Sequence, residues 1–561
     1  MEELARRFGL KTDPVIFFSA AAFMVVFAFL LVLFPGPIGD GFAAARAWIV
    51  AHLGWFFILG VNVWLGFLIW VSMSRYGHVR LGGRDAIPDY GNISWFTMLF
   101  AGGIGTVLMF WGVAEPMSHF ATPPFPGVEP HSVEAAQDAI SIALYHLGLH
   151  TWTIFTLPGL AFAYFIYRYK LPVRVSSVFY PLLKEGIHGP VGKTIDVVAI
   201  LGTLFGVAVS LGLGSSQVAA GLNELMGTGD GPFVQIVIIA VLTAVAVMSI
   251  VAGLDSGVRF LSNLNIGMAV ALMIFVLIAG STLFLLRGIV ETAGLYLSNL
   301  PRLAFWNDMM ADRDPSTDGW GWQGSWTVFY WAWTVTWSPF MGLFVARISY
   351  GRTIREFVMG VLLAPSFFTL VWFAIFGWQA MGFDGIGPEA REQLGDAAGQ
   401  LSQAVSDSIP LAMFAFLDNF PFATFLQGFA VIVVAIFFAT SSDSASLVVD
   451  MLCTGEAEAG PVQQRLFWGI AEGTIAILLI VLAGQAGLTA LQQVITVVGL
   501  PVFCLVFLMI PSLIMGLLAE DIDYITVGPR PKPSDLHEEE NAVSSYDQPR
   551  AAPTAAPAPG E

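Results

Sequence analysis

Trp331, Trp333, Trp337, Phe340 and Phe344 run through an apolar stretch from Trp326 to Phe357. Their spacings of about four and seven residues put several of them on one helical face. A helix that only anchors a protein in lipid keeps its aromatic residues at the two interfaces and fills its middle with Leu, Ile and Val. Rings at depth can instead enclose a cation or a flat solute against their π faces. Ser338-Pro339 is expected to break the helix, and Arg347, Arg352 and Arg355 close the stretch. The segment reads as a substrate pathway.

Two other segments carry possible chemistry. In lipid every backbone N–H and C=O needs an internal partner, so the cluster Phe100-Ala101-Gly102-Gly103-Ile104-Gly105-Thr106 either opens where it lines a cavity or serves close helix packing. The run Phe437-Phe438-Ala439-Thr440-Ser441-Ser442-Asp443-Ser444-Ala445-Ser446 is dense in hydroxyls, which either back-bond to the preceding turn or coordinate a hard cation. Thr440 and Ser441, the deeper pair, are the better ion contacts, while Asp443 can snorkel to the interface. His146 and His150 stand four residues apart and could share a metal ion. No third ligand stands at suitable spacing near them, so packing or hydrogen bonding is the favoured reading.

The elements that hold these residues must be membrane helices. With 561 residues, 56% hydrophobic and only 12% charged, the chain carries more apolar area than a water-soluble globule can hide. Stretches long enough to span lie near 15–36, 48–73, 94–113, 138–166, 195–222, 234–254, 260–286, 326–346, 356–380, 422–449, 464–484 and 489–518, about twelve in all. Arg6, Arg7, Lys11, Arg75, Arg80, Arg84, Arg168, Lys170, Arg174, Lys184, Arg347, Arg352 and Arg355 fall on one side of that alternation, which predicts both termini in the cytoplasm. Arg287, Arg302 and Arg313 run against the rule, in a long loop where it is weak. The net charge of −17, with no basic patch, excludes nucleic acid as a partner. Cys453 and Cys504 fall at or within spans and read as packing residues. The first apolar stretch is span-length without a small-residue cleavage site, so no cleavable signal is expected. The last thirty or so residues, rich in Pro, Ala and Glu, are expected to be disordered.

Gly102-Gly103 and Pro339 lie five spans apart at comparable places. Paired interruptions of this kind point to a transporter built from inverted repeats. The expected organisation is a cytoplasmic N-terminus (1–14), two accessory helices (15–93), a first five-helix repeat (94–286), a periplasmic loop (287–325), a second repeat (326–518) and an acidic cytoplasmic tail (519–561). A membrane enzyme would need converging acid, base or metal ligands, and the buried ionisable residues are too scattered along the chain for that. A channel would call for rings of charge or carbonyls. The chain is therefore expected to be a carrier without enzymatic activity.

The motifs of the eighth span resemble the signature of the betaine/choline/carnitine transporter family. They are Tyr330-Trp331-Ala332-Trp333, Trp337-Ser338-Pro339-Phe340, Ala346-Arg347-Ile348-Ser349 and Gly351-Arg352-Thr353-Ile354-Arg355-Glu356-Phe357. Leu108-Met109-Phe110-Trp111-Gly112 with Ala114-Glu115-Pro116, His150 with Trp152, Ser210-Leu211-Gly212-Leu213-Gly214 and Thr440-Ser441-Ser442-Asp443-Ser444 extend the resemblance over roughly residues 12–520. It implies an all-α, twelve-span, LeuT-like fold of five plus five inverted helices with two extra at the N-terminus. It also implies a homotrimer in a bacterial inner membrane that imports quaternary ammonium, sulfonium or related zwitterionic solutes by alternating access. The family's aromatic box maps onto Trp331, Trp333, Thr334, Trp337, Phe340 and Phe344 with Leu147, Trp152 and Phe155, and the backbone of Gly103, Ile104 and Gly105 faces the solute. Thr334 stands where a second tryptophan is usual, and Leu147 and Phe155 where tryptophan or tyrosine is usual, which implies a shifted substrate such as a sulfonium compound, a less methylated zwitterion or ectoine. Sodium-coupled members imply ion contacts at Ala101, Ile104, Phe437, Thr440 and Ser441, with Ser210 as the remnant of a second site. Proton-coupled members carry an acid where this chain has Val107. One sodium ion is the expected coupling ion, with no other cofactor; proton coupling and substrate/product exchange are the alternatives. The acidic, proline-rich tail lacks the basic helix of osmosensing members, so uptake is expected without strong osmotic activation.

Overall fold

The computed structural model describes residues 1–101, 104–252, 255–313, 321–458, 460–483 and 488–520, and Met1–Glu520 form one compact unit. Among them helix is the main regular structure, with one isolated β-bridge between Arg80 and Thr353. The long helices are α1 (Pro14–Leu33), α2 (Pro35–Met73), α3 (Asn92–Ala101), α4 (Ile104–Ala121), α5 (Val133–Leu147), α6 (Leu149–Phe162), α7 (Pro190–Met226) and α8 (Pro232–Ala252). After them come α9 (Asp255–Ala279), α10 (Thr282–Ala304), α11 (Thr327–Arg347), α12 (Ile354–Asp384), α13 (Ala423–Thr454), α14 (Val462–Ala483) and α15 (Leu488–Leu518). Local chemistry sets several ends. Asp13 caps α1 through the N–H groups of Val15 and Ile16, with Pro14 in the first turn. Thr353 and Glu356 form a reciprocal capping box on α12.

Nine helices among the described residues are long and apolar enough to cross a membrane, or ten if the bent pair α9–α10 is one span. The two remaining expected spans are there as helices but do not read as apolar rods. One comprises α3 and α4, on either side of Gly102 and Gly103, which lie outside the described residues. The other is α11, whose 21 residues are long enough for roughly 30 Å, but whose tryptophans and threonines lower its hydropathy.

Two expectations need correction. The break at Ser338-Pro339 is absent: α11 is continuous through Pro339. A proline in a membrane helix survives when neighbouring helices hold the turn, and α11 is packed on α6, α7 and α15. The region from 287 is also not all loop. α10 continues as helix to Ala304, burying Leu285, Gly288, Thr292, Tyr296 and Leu303 along one stripe. The real interruption in this region is the bend of 116° between 263–279 and 282–304. There Gln379 of α12 accepts the N–H of Ser281 at 2.7 Å, supplying a partner that the broken turn lacks.

The basic loops assigned to one side do meet at one end of the bundle. Arg168 reaches the carbonyls of Arg80 and Gly82 and pairs with Glu520, Arg80 binds the carbonyl of Gly351, and Asp13 lies against Arg174 and Lys193. Arg352 lies 3.8 Å over the ring of Trp95 and binds Asn92 and the carbonyl of Tyr90, while Arg355 binds the carbonyl of Ser72. These arginines tie the loop after α11 to the starts and ends of α2 and α3. The predicted disordered tail, 521–561, lies outside the described residues.

Candidate functional site

The backbone of α11 is brought close to its neighbours by glycines. A Cβ at Gly342 would lie 3.0 Å from the nitrogen of Gly159 in α6, and one at Gly206 of α7 would lie 2.3 Å from Thr336 Oγ1. A methyl would crowd both crossings, so α11 approaches α6 backbone to backbone and seats its Thr336 side chain against the Gly206 backbone of α7. This close seating leaves the larger side chains of α11 to project into the space between α4, α5 and α6.

There Val107, Leu147, Thr151, Phe155, Trp333, Thr334, Trp337 and Met341 line a tight cavity of about 30 Å³. Five of the residues expected from the sequence are in this wall: Leu147, Phe155, Trp333, Thr334 and Trp337. Three were missed as wall residues. Thr151 falls between Leu147 and Phe155 at spacings of four, and Met341 follows Trp337 by four, so helical periodicity alone could have found both. Val107 was considered only as a coupling position. Among the described residues no charged side chain lines the cavity.

Trp333 and Trp337 differ in their partners. The indole N–H of Trp333 donates to Ser210 Oγ at 3.0 Å, and Ser210 in turn donates to the carbonyl of Gly206 at 2.8 Å. Among the described residues the buried N–H of Trp337 has no hydrogen-bond partner. Thr151 donates to the carbonyl of His146 at 2.5 Å.

The other expected contacts are placed elsewhere. Trp331 is two residues, about 200° around the helix, from Trp333, and packs against Tyr145 and His150 with ring centroids 5.4 and 5.8 Å away. Phe340 lies behind Trp337 at 6.0 Å, Trp152 meets Phe155 edge-on at 5.6 Å, and Phe344 is half-buried beyond the cavity. Gly105 is covered by the ring of Phe437, which a Cβ at that position would approach to 2.1 Å. Gly103 lies outside the described residues, and Ala101 and Ile104 are described by backbone alone, as the end of α3 and the start of α4.

The contact of Phe437 with Gly105 nevertheless brings the hydroxyl-rich part of α13 against the start of α4. Thr440 Oγ1 lies within hydrogen-bonding distance of the carbonyls of Ile436 and Phe437, at 2.9 and 3.0 Å. This is the back-bonded arrangement that a helical threonine adopts without an ion. Two residues further along α13, Ser442 donates to Glu472 of α14 at 2.9 Å, a buried carboxylate that the sequence alone does not single out.

His146 and His150 do not share a partner. His150 Nε2 meets Asn62 Oδ1 at 3.0 Å, whereas His146 Nδ1 lies 2.5 Å from Glu115 Oε1. The third group that no local spacing revealed comes from α4, a separate helix. A second, wider groove at the foot of α1 and α7, lined by Val15, Ser19, His188 and Lys193 among others, has no Phe, Tyr or Trp among the described residues of its wall.

The model of the betaine/carnitine/choline family transporter (BCCT) matches residues 15–522. An ectoine/glycine betaine/proline transporter of Corynebacterium glutamicum is 45% identical over 515 residues, 91% of this chain and 81% of its own length. A glycine betaine transporter of Acinetobacter baylyi is 40% identical, covering 90% of this chain and 73% of its own. Glycine betaine transporter 1 of Vibrio parahaemolyticus is 38% identical, covering 92% and 96%.

Proposed function

Since this chain belongs to the betaine/carnitine/choline family of membrane transporters, and is a secondary transporter of zwitterionic solutes rather than an enzyme, we propose that its cargo binds between α5, α6 and α11. The observation that carries this reading is a cavity free of charged side chains and walled by the rings of Phe155, Trp333 and Trp337. A methylated ammonium group cannot donate conventional hydrogen bonds, so it is held by ring faces. A cavity without charge favours a solute that is neutral overall, because an unpaired charge moved there from water has no compensating partner. The carboxylate of such a zwitterion is met by the unpartnered N–H of Trp337 and the hydroxyl of Thr334. Thr334 in place of a second indole leaves room for a cyclic or bulkier solute. Ectoine, glycine betaine and proline, the solutes in the name of the Corynebacterium relative, are the proposed cargo.

Sodium is the proposed coupling ion, in a symport mode, held by the α3–α4 junction at Ala101 and Ile104 together with Phe437, Thr440 and Ser441. Its support is the seating of Phe437 on Gly105 and the hydroxyl of Thr440, which exchanges its carbonyl bonds for the ion. Proton coupling through the glycine segment lacks its acid, since Val107 is a wall residue. The chain is proposed to act as a homotrimer in the bacterial inner membrane with its basic end, and both termini, in the cytoplasm.

Thermal-shift titrations of purified protein with ectoine, betaine, proline, choline and carnitine, each with and without sodium, test the reading through ligand-linked stabilisation. Stabilisation by zwitterions, stronger with sodium chloride than with an equal concentration of potassium chloride as ionic control, is expected. A response to choline alone, or none from any zwitterion, would overturn the assignment of cargo.

A further inference from the structure

Glu115 and His119 lie one turn apart on α4 and face His146 of α5, with side chains 0%, 1% and 0% exposed. Glu115 Oε1 is 2.5 Å from His146 Nδ1 and 3.6 Å from His119 Nε2, and the three ligand atoms fall within 4.8 Å of one another. Among the described residues His119 Nε2 has no hydrogen-bond partner, Glu115 Oε1 at 3.6 Å being too distant. Among the described residues neither lysine nor arginine pairs with Glu115. The cluster thus presents an imidazole nitrogen without a bond and a buried carboxylate without a fixed cation.

The groups around it are arranged as the outer ligands of a metal site are. Tyr330 donates to Glu115 Oε2 at 2.7 Å and so orients the carboxylate. His146 Nε2 meets Thr327 Oγ1 at 3.0 Å, and donation there leaves the Nδ1 lone pair directed at Glu115 and His119. Trp326, with its ring 4.4 Å from that of His119, shields the cluster. Two ligand atoms about 2.1 Å from a tetrahedral zinc ion stand roughly 3.4 Å apart, close to the separation of His119 from Glu115. The closer His146–Glu115 contact, at 2.5 Å, has to open by about 1 Å for both atoms to ligate one ion.

We propose that Glu115, His119 and His146 form a binding site for a borderline divalent ion of zinc's type, which ties α4 to α5. Two imidazoles and one carboxylate suit such an ion and not sodium, which prefers oxygen throughout. The site bears on the cavity because His146 precedes Leu147 and its carbonyl accepts the Thr151 hydroxyl, and both of those residues are in the cavity wall.

The test uses full-length protein without a polyhistidine tag, stripped with chelator and titrated with Zn²⁺. One ion per chain by elemental analysis is expected, with a melting temperature that rises with zinc concentration. His119→Ala is expected to weaken zinc binding at least about 100-fold, and Thr327→Val about 10- to 100-fold. Zinc X-ray absorption should report two imidazole ligands. Should His119→Ala fail to fold, as judged by gel filtration, Thr327→Val and the absorption spectrum decide. Stoichiometry below one ion per chain, an unchanged affinity in the folded His119→Ala or Thr327→Val protein, or a spectrum without imidazole would overturn the proposal.

Discussion

Ser210 offers the sharpest separation of two roles. As a sodium ligand it would act on the ion; as the acceptor for Trp333 N–H, at 3.0 Å, it fixes one wall of the cavity. Ser210→Ala removes that acceptor and leaves a buried indole donor without a partner, while Trp333→Phe removes the donor and keeps a ring. Hydrogen bonds between membrane helices contribute about 0.6 kcal/mol on average and up to about 1.7 kcal/mol. The two substitutions should therefore couple by that amount in cargo affinity, a factor of roughly 3 to 20. Measured by tryptophan fluorescence or thermal shift, Ser210→Ala should weaken cargo binding in the wild-type background and change it little in the Trp333→Phe background. Its half-saturating sodium concentration should stay fixed when cargo is saturating. Additive effects of the two substitutions, or a sodium requirement that rises in Ser210→Ala alone, would refute the positioning role.

Trp337→Leu removes both a ring face and the unpartnered N–H, so uptake should fall at least about tenfold at normal expression, while Trp337→Phe should retain part of it. Gly342→Ala places a methyl 3.0 Å from the nitrogen of Gly159 and the Cβ of Pro158. Forcing α6 and α11 apart should destabilise by about 1–3 kcal/mol and lower the melting temperature in detergent. Outside the membrane spans, burial, then Arg391, pushes the His131 imidazole below its ordinary value, with Asp384 opposing. The folded state therefore binds this proton less readily than the unfolded chain. The associated stability is complete above the unfolded value of about 6.5 and is lost as pH falls toward the folded one. His131→Gln should flatten the decline of melting temperature over that acidic window.

How much of this was legible in one dimension can be argued from particular residues. The apolar stretches, the aromatic run of α11 and the side taken by the basic loops follow from composition and helical period, and they survive in the fold because lipid forces every spanning backbone to pair within its own helix. The same period, applied strictly, separates Trp333, Trp337 and Met341 from Trp331, which faces the histidines. Pro339 misled because a proline breaks an isolated helix, whereas here the surrounding helices hold the turn. The bend at Gly280 gave no comparable signal, since the side chain that completes it, Gln379, is 98 residues away from Ser281.

By itself the sequence determined that the protein lives in lipid, which segments are apolar enough to be helices there, and that an aromatic helix is the element to watch, because these depend on the order of residues within one helix. Which rings share a cavity, that Ser210 holds Trp333, and that Glu115, His119 and His146 meet were decided only by tertiary packing. Each of those contacts joins different helices, and where α11 crosses α6 and α7 the approach is set by Gly342 and Gly206.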